Sequence, residues 1–108
     1  MNKGDYAKAE ADFTAALKAD PKSSGDYLHR SAVRLALGRV DDARADFSQA
    51  LALEPDQAGL YSDRGKLLLV EHQLPQAQAD LRQAVQLDPK LAAAWNNLGL
   101  TCREAGDP

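Results

Sequence analysis

Along residues 5–19 the apolar positions Tyr6, Ala9, Phe13, Ala16 and Leu17 fall three, four or one apart, with charged and polar residues between them. That spacing is one stripe of an amphipathic helix. Small alanines alternate with rings on the stripe, so a second helix can approach at the alanines while the ring fills the gap beside them. Asp20-Pro21 ends the segment, because the residue before a proline is pushed out of the helical region. Residues 22–25 then read as a short turn. From residue 24 or 25 to 37, Tyr27, Arg30, Ser31 and Arg34 recur at helical spacing, and Gly38 supplies a left-handed stop. Residues 40–53 restate the alanine-and-ring stripe. Residues 59–70, 75–87 and 91–104 predict three further helices. Pro75 suits a first helical position, where its missing N–H would have had no partner anyway. The pattern is all-α, with about six helices.

These segments are copies of one another. Ala9, Ala43 and Ala77 are equivalent, as are Phe13, Phe47 and Leu81, then Ala16, Ala50 and Ala84, then Leu17, Leu51 and Val85, at a spacing of 34 residues. Each copy closes on an acidic residue and proline: Asp20-Pro21, Glu54-Pro55 and Asp88-Pro89. A fixed period of this size signals stacked helix pairs held by neighbour contacts, with a core that runs as a ribbon along the stack. The expected organisation is a single array over residues 1–108, with 5–20 the second helix of a truncated repeat, 24–57 and 58–91 full repeats, and 92–106 the first helix of another. His72 stands where Gly38 stands one repeat earlier, which is unfavourable if the backbone there is left-handed.

The residues resemble a known family. Trp95-Asn-Asn-Leu-Gly99 is similar to the first half of the tetratricopeptide repeat; Tyr61-Ser-Asp-Arg-Gly65 and Tyr27-Leu-His-Arg-Ser31 follow it with arginine in the leucine place and, in the second, serine for glycine. The second halves fit throughout, with Leu81 in place of an aromatic. The resemblance implies a right-handed α-solenoid, or superhelix, of antiparallel helix pairs. Its first helices would line a concave groove that holds a peptide or a partner helix. Mapped onto this chain, the groove holds Leu28, His29, Ala32, Leu35 and Ala36, then Ser62, Asp63, Lys66 and Leu69, then Asn96, Asn97, Leu100 and Arg103. Apolar ground with a few polar groups suits such a role, since area gives affinity and polar groups give register. Asn97 offers a donor and an acceptor together, as pairing with an extended peptide backbone requires. Asp63 and His29 occupy the equivalent places. The alternative for all three is a solvated helix face.

Some members of the family clamp an acidic C-terminal peptide. The clamp places here hold Leu28, Ala32, Asp63, Ala93 and Asn97, of which only Asn97 matches, and Asp63 would repel a carboxylate. The resemblance therefore implies no such clamp.

Arg30 and Arg64 enter places that are usually apolar. A guanidinium in a helix interface needs a carboxylate, so both are expected to pair within the set Asp12, Asp46 and Asp80, each of which precedes a Phe or Leu of a second helix. Arg34 is expected to snorkel.

Charge and composition narrow the function. A net charge of −3 with interspersed signs excludes a nucleic-acid footprint. No apolar run approaches the roughly 18 residues of a membrane span, and the first residues lack the character of a signal peptide. Membrane insertion is not expected, and a cytoplasmic location is preferred although the compartment stays open. The one cysteine, Cys102, excludes an intrachain disulfide and reads as a packing residue beside Trp95 and Leu98. Neither a phosphate loop nor a metal-ligand motif is present, so no cofactor or metal is expected. His29, Ser62 and Asp63 do not make a hydrolase: equivalent places in adjacent helices lie about 8–10 Å apart, too far for the contacts of about 3 Å that a triad needs.

The expected function is a non-catalytic scaffold that binds a peptide or helix in its groove. The alternatives are self-assembly, in which Tyr6 and Phe13 of one molecule meet Trp95, Leu98 and Cys102 of the next head to tail, and a piece of a longer array acting as a spacer.

Overall fold

The computed structural model describes residues 2–106. Six α-helices follow in order, α1 (Lys3–Ala19), α2 (Ser24–Ala36), α3 (Val40–Leu53), α4 (Ala58–Val70), α5 (Leu74–Leu87) and α6 (Ala92–Glu104). The chain divides into two compact units, with the break between Pro55 and Asp56. In the first unit α2 packs on both α1 and α3; in the second, α5 packs on both α4 and α6, and α4 also touches α6.

The helix ends follow from local chemistry. At the start of α1, Asp5 N–H donates to Asn2 Oδ1 at 3.0 Å and the Asn2 N–H donates back to Asp5 Oδ2, a capping box that extends the helix two residues beyond the predicted start. Ser23 Oγ accepts from the Asp26 N–H at the start of α2. The acidic-proline turns are tied in the same way at two places: Lys22 N–H donates to Asp20 Oδ1 and Lys90 N–H to Asp88 Oδ1, each at 3.1 Å. Glu54 has a longer side chain and instead accepts from Ser24 Oγ at 2.8 Å, fastening the end of α3 to the start of α2. The aromatic residue of the next helix locks the turn: Tyr27 Oη donates to Pro21 O at 3.2 Å, and Trp95 Nε1–H donates to Pro89 O at 2.8 Å.

The repeat stripe forms the core. Ala43, Ala50, Ala77, Leu81, Ala84 and Ala94 are wholly shut from solvent, with Phe47, Leu51 and Val85 nearly so. In the second unit the core of Ala84, Val85 and Ala94 is covered by Tyr61, Leu91 and Leu98. Close approach is built in at Gly65, where a Cβ would stand 2.6 Å from Leu81 Cγ. The absent side chain makes room for the leucine.

Gly38 ends α2 with φ 79°, and His72 ends α4 with φ 62°. At both ends the following N–H reaches back to the last turn, Arg39 N–H to Arg34 O and Gln73 N–H to Leu68 O, each at 2.8 Å. A β-carbon is disfavoured in this left-handed conformation, and only glycine adopts it freely. His72→Gly is therefore expected to stabilise the chain by about 1 kcal/mol, seen as a higher urea midpoint at unchanged slope. An unchanged midpoint would contradict a left-handed residue 72 in solution.

Candidate functional site

Arginines of α2 and α4 pair with aspartates of the helices that follow them. In the first unit Arg30 grips Asp46 with two parallel bonds, Nε to Oδ2 at 3.0 Å and Nη2 to Oδ1 at 2.7 Å, and its Nη1 reaches Thr14 Oγ1 at 3.2 Å. Arg34 does not snorkel. Its Nη1 donates to Asp46 Oδ2 at 3.0 Å and its Nε to Glu10 Oε2 at 2.8 Å, because two carboxylates lie within reach of the guanidinium and solvent offers less. Arg39 Nη1 closes the network on both oxygens of Glu10. The hydrogen bond from Arg34 holds the Glu10 carboxyl below its ordinary pKa against the opposing effect of burial, with Arg39 adding to the depression. Glu10 therefore supports the fold above its unfolded pKa, and this support is lost as pH falls through the folded value.

In the second unit Arg64 donates to Asp80 from Nε at 2.6 Å and from Nη2 at 2.8 Å. Asp80 raises the Arg64 pKa as Asp46 raises that of Arg30. Each guanidinium also lies over the ring three residues earlier, 5.7 Å from the Tyr27 centroid and 6.0 Å from that of Tyr61. Asp12, the first of the three aspartates, is exposed.

The candidate face itself is clearest in the second unit, where α4 and α6 pack side by side. Asp63 and Lys66 on α4 and Asn96, Leu100 and Arg103 on α6 reach solvent, and Asn97 and Leu69 are half-buried. Asp63 and Asn97 are repeat equivalents, as are Lys66 and Leu100. Ser62 does not line this face: it is 4% exposed, on the side of α4 turned into protein. In the first unit His29 is exposed with its ring 5.4 Å from that of Phe13, Leu35 is 37% exposed, Ala32 and Ala36 are exposed and Leu28 is half-buried.

Protein atoms around Asp63 push its carboxyl above the ordinary value, while the Lys66 ammonium pulls it down. A titration of the folded chain by nuclear magnetic resonance should find Asp63 above an ordinary aspartate, and higher still in Lys66→Met. Because the folded carboxyl holds its proton the more tightly, its ionisation opposes folding as pH rises. Asp63→Asn should thus gain on the parent as pH rises through the carboxylate range and match it in acid. An Asp63 titrating at or below the ordinary value would show that the carboxyl is well solvated.

A model of the tetratricopeptide repeat matches residues 1–58, 33–71 and 62–108. The chain belongs to the tetratricopeptide repeat family. Solved structures agree on the all-α fold. The first TPR of Spaghetti (RPAP3), bound to the HSP90 peptide SRMEEVD, is 25% identical with a TM-score of 0.86, over 96% of this chain and 82% of that one. MamA is 26% identical with a TM-score of 0.88, over 97% of this chain but 61% of its own. The Yersinia enterocolitica type III secretion chaperone SycD, in complex with a YopD peptide, shares the fold at 21% identity and a TM-score of 0.84, over 94% of this chain and 83% of that one. None of the curated proteins compared matches the chain.

Within this TPR chain the residues considered for end-to-end contact differ in their cover. Tyr6, Phe13, Leu98 and Cys102 are half-buried, and Trp95 is 50% exposed. Cys102 Sγ accepts from Gln78 Nε2 at 3.9 Å. Among the described residues no group of three His, Cys, Asp or Glu is placed to hold a metal ion, and no helix is long and apolar enough to cross a membrane. Nothing in the repeat pattern marks Glu10 as a partner of Arg34. The repeat equivalents of Glu10 are Arg44 and Gln78, and those of Arg34 are Leu68 and Cys102, so the period carries no trace of that pair.

Proposed function

We propose that this chain is a non-catalytic protein-interaction module that holds an extended peptide against its first helices, with Asp63, Lys66, Asn97 and Leu100 as the central contacts. The observation that carries this is the packing of α4 against α6, the two helices that carry Asp63 and its repeat equivalent Asn97. The Asn97 amide both donates and accepts, as a peptide backbone requires. Asp63, open to solvent on α4, accepts a peptide N–H, and Leu100 supplies apolar area at 40% exposure. The peptide-bound TPR structures similar to this chain support the module reading.

Selectivity should differ from that of the RPAP3 domain. Asp63 occupies a place where a peptide's terminal carboxylate would be repelled, so internal segments with free backbone N–H groups are the preferred ligands. The test is a library of peptides screened against the chain and against a folded Asp63→Ala, Asn97→Ala variant, with SRMEEVD as a control. Hits that the variant loses, together with no binding of the control, are expected. Hits that ignore the variant would remove the face formed by α4 and α6 from consideration.

A further inference from the structure

In the first unit α1 packs on α2 but not on α3, and a cleft of about 390 Å³ opens where α1 passes the end of α2 and the start of α3. That volume is within the range of small-ligand sites. Its floor is apolar: Ala7, Ala11 and Ala15 are exposed and follow one another at four-residue spacing on α1. Helical spacing puts Ala9 and Phe13 on another side of α1, so the stripe of the repeat takes no part in the cleft. Charge in the cleft is one-sided. Lys18, Arg34 and Arg39 line it against one carboxylate, Glu10, and both Glu10 oxygens are occupied, Oε1 by Arg39 and Oε2 by Arg39 and Arg34. Lys18 is exposed and makes no ion pair among the described residues. Arg39 is engaged on one edge only. Arg30 and Arg64 grip their aspartates side-on, through Nε and Nη2. Arg39 gives Glu10 only Nη1, and its Nε–Nη2 edge has no partner among the described residues, on a side chain 51% exposed.

We infer that this cleft binds an acidic segment of a partner protein, with one glutamate side-on to Arg39, a second at Lys18, and their carbon stems over the alanines. The chain shows the required geometry twice, in the parallel bonds of Arg30 to Asp46 and of Arg64 to Asp80; a planar guanidinium edge matches a carboxylate in this way. The two cations set the spacing of the ligand. Lys18 stands eight residues beyond Glu10, the residue that Arg39 holds, which is about 12 Å along the helix axis. An extended chain covers that distance in about four residues, so glutamates at the first and fifth positions of a short segment meet both. Phosphate is a poorer occupant: it is too small to bridge the two cations and gains nothing from the alanines. This site lies in the first unit and does not rest on the reading of α4 and α6.

The probe is the capped peptide EAAAE, compared with capped QAAAQ and with inorganic phosphate, at low salt, where exposed charges are least screened. The labelled full chain reports contact through the Arg39 side-chain Nε–H and the amides of residues 7–18. EAAAE should shift these signals and QAAAQ should leave them in place. Affinity for EAAAE should fall about threefold in Lys18→Met, in keeping with the modest worth of one exposed cation. Arg39→Lys keeps a cation beside Glu10 but lacks the planar edge, and should weaken binding at least as much, at a urea midpoint close to that of the parent. No shift at millimolar EAAAE, undiminished affinity in both variants, or shifts centred on other basic residues would overturn the proposal. So would phosphate moving the same signals at equal concentration, which would mark an adventitious anion site only.

Discussion

Replacing Asp46 with alanine is expected to destabilise the chain by about 3 kcal/mol, because it strands two guanidinium groups at once. Asp46 is 2% exposed, and it takes bonds from both Arg30 and Arg34, whose side chains are themselves largely out of water. Arg30 would keep its hydrogen bond to Thr14 and its ring contact with Tyr27, and Arg34 its bond to Glu10. The penalty belongs to the unpaired cations more than to any net gain from the pair. Adding Arg30→Leu and Arg34→Leu to Asp46→Ala should therefore recover part of the lost stability. Urea denaturation of the parent, the single and the triple variants decides this. A triple variant as unstable as the sum of its parts would mean that the charges act independently.

The second large effect is a reversal of sign between two glycines at one repeat position. At Gly65 an added Cβ lands 2.6 Å from Leu81 Cγ and 2.9 Å from Cδ2, and Leu81 is fully buried with nowhere to retreat. Overpacking of this kind costs about 1–3 kcal/mol, which exceeds the gain of about 1 kcal/mol that alanine brings to a helix interior. At Gly99 nothing lies within 4 Å of the added carbon, so the helix gain acts alone. Gly65→Ala should lower the denaturation midpoint and Gly99→Ala should raise it. Trimming the opposing side chain with Leu81→Val in the Gly65→Ala background should restore part of the loss. If both alanines stabilise, the contact between α4 and α5 at Gly65 is looser than described.

The helices were legible because their determinants are local. Stripe spacing, the prolines at 21, 55 and 89, and Gly38 set boundaries within a residue or two of those observed, and α1 starts early only because Asn2 and Asp5 form a box that spacing does not display. The two arginine-aspartate pairs could be anticipated only as a set: the 34-residue period makes Asp12, Asp46 and Asp80 equivalent, but whether an arginine turns to the second helix before it or the one after it is decided by packing. The Glu10–Arg34–Arg39 arm could not, since it joins positions that the period does not relate and depends on three long side chains converging. Ser62 marks a further limit. Helical spacing puts it beside Asp63, yet one step around the helix carries it from solvent into protein. Position along a helix was readable, but which side was covered depended on neighbours that a single helix does not reveal.

Trp95 is the single tryptophan of the chain, and its indole N–H is tied to Pro89 O while half of its surface meets water. Its fluorescence is consequently a local gauge of the α5–α6 turn: freeing the indole from the carbonyl should shift the emission to longer wavelength. The first unit contains no tryptophan, so its melting is dark in that channel, whereas circular dichroism sums all six helices. Comparing the two signals shows whether the α5–α6 turn opens together with the helices or before them, without any added label.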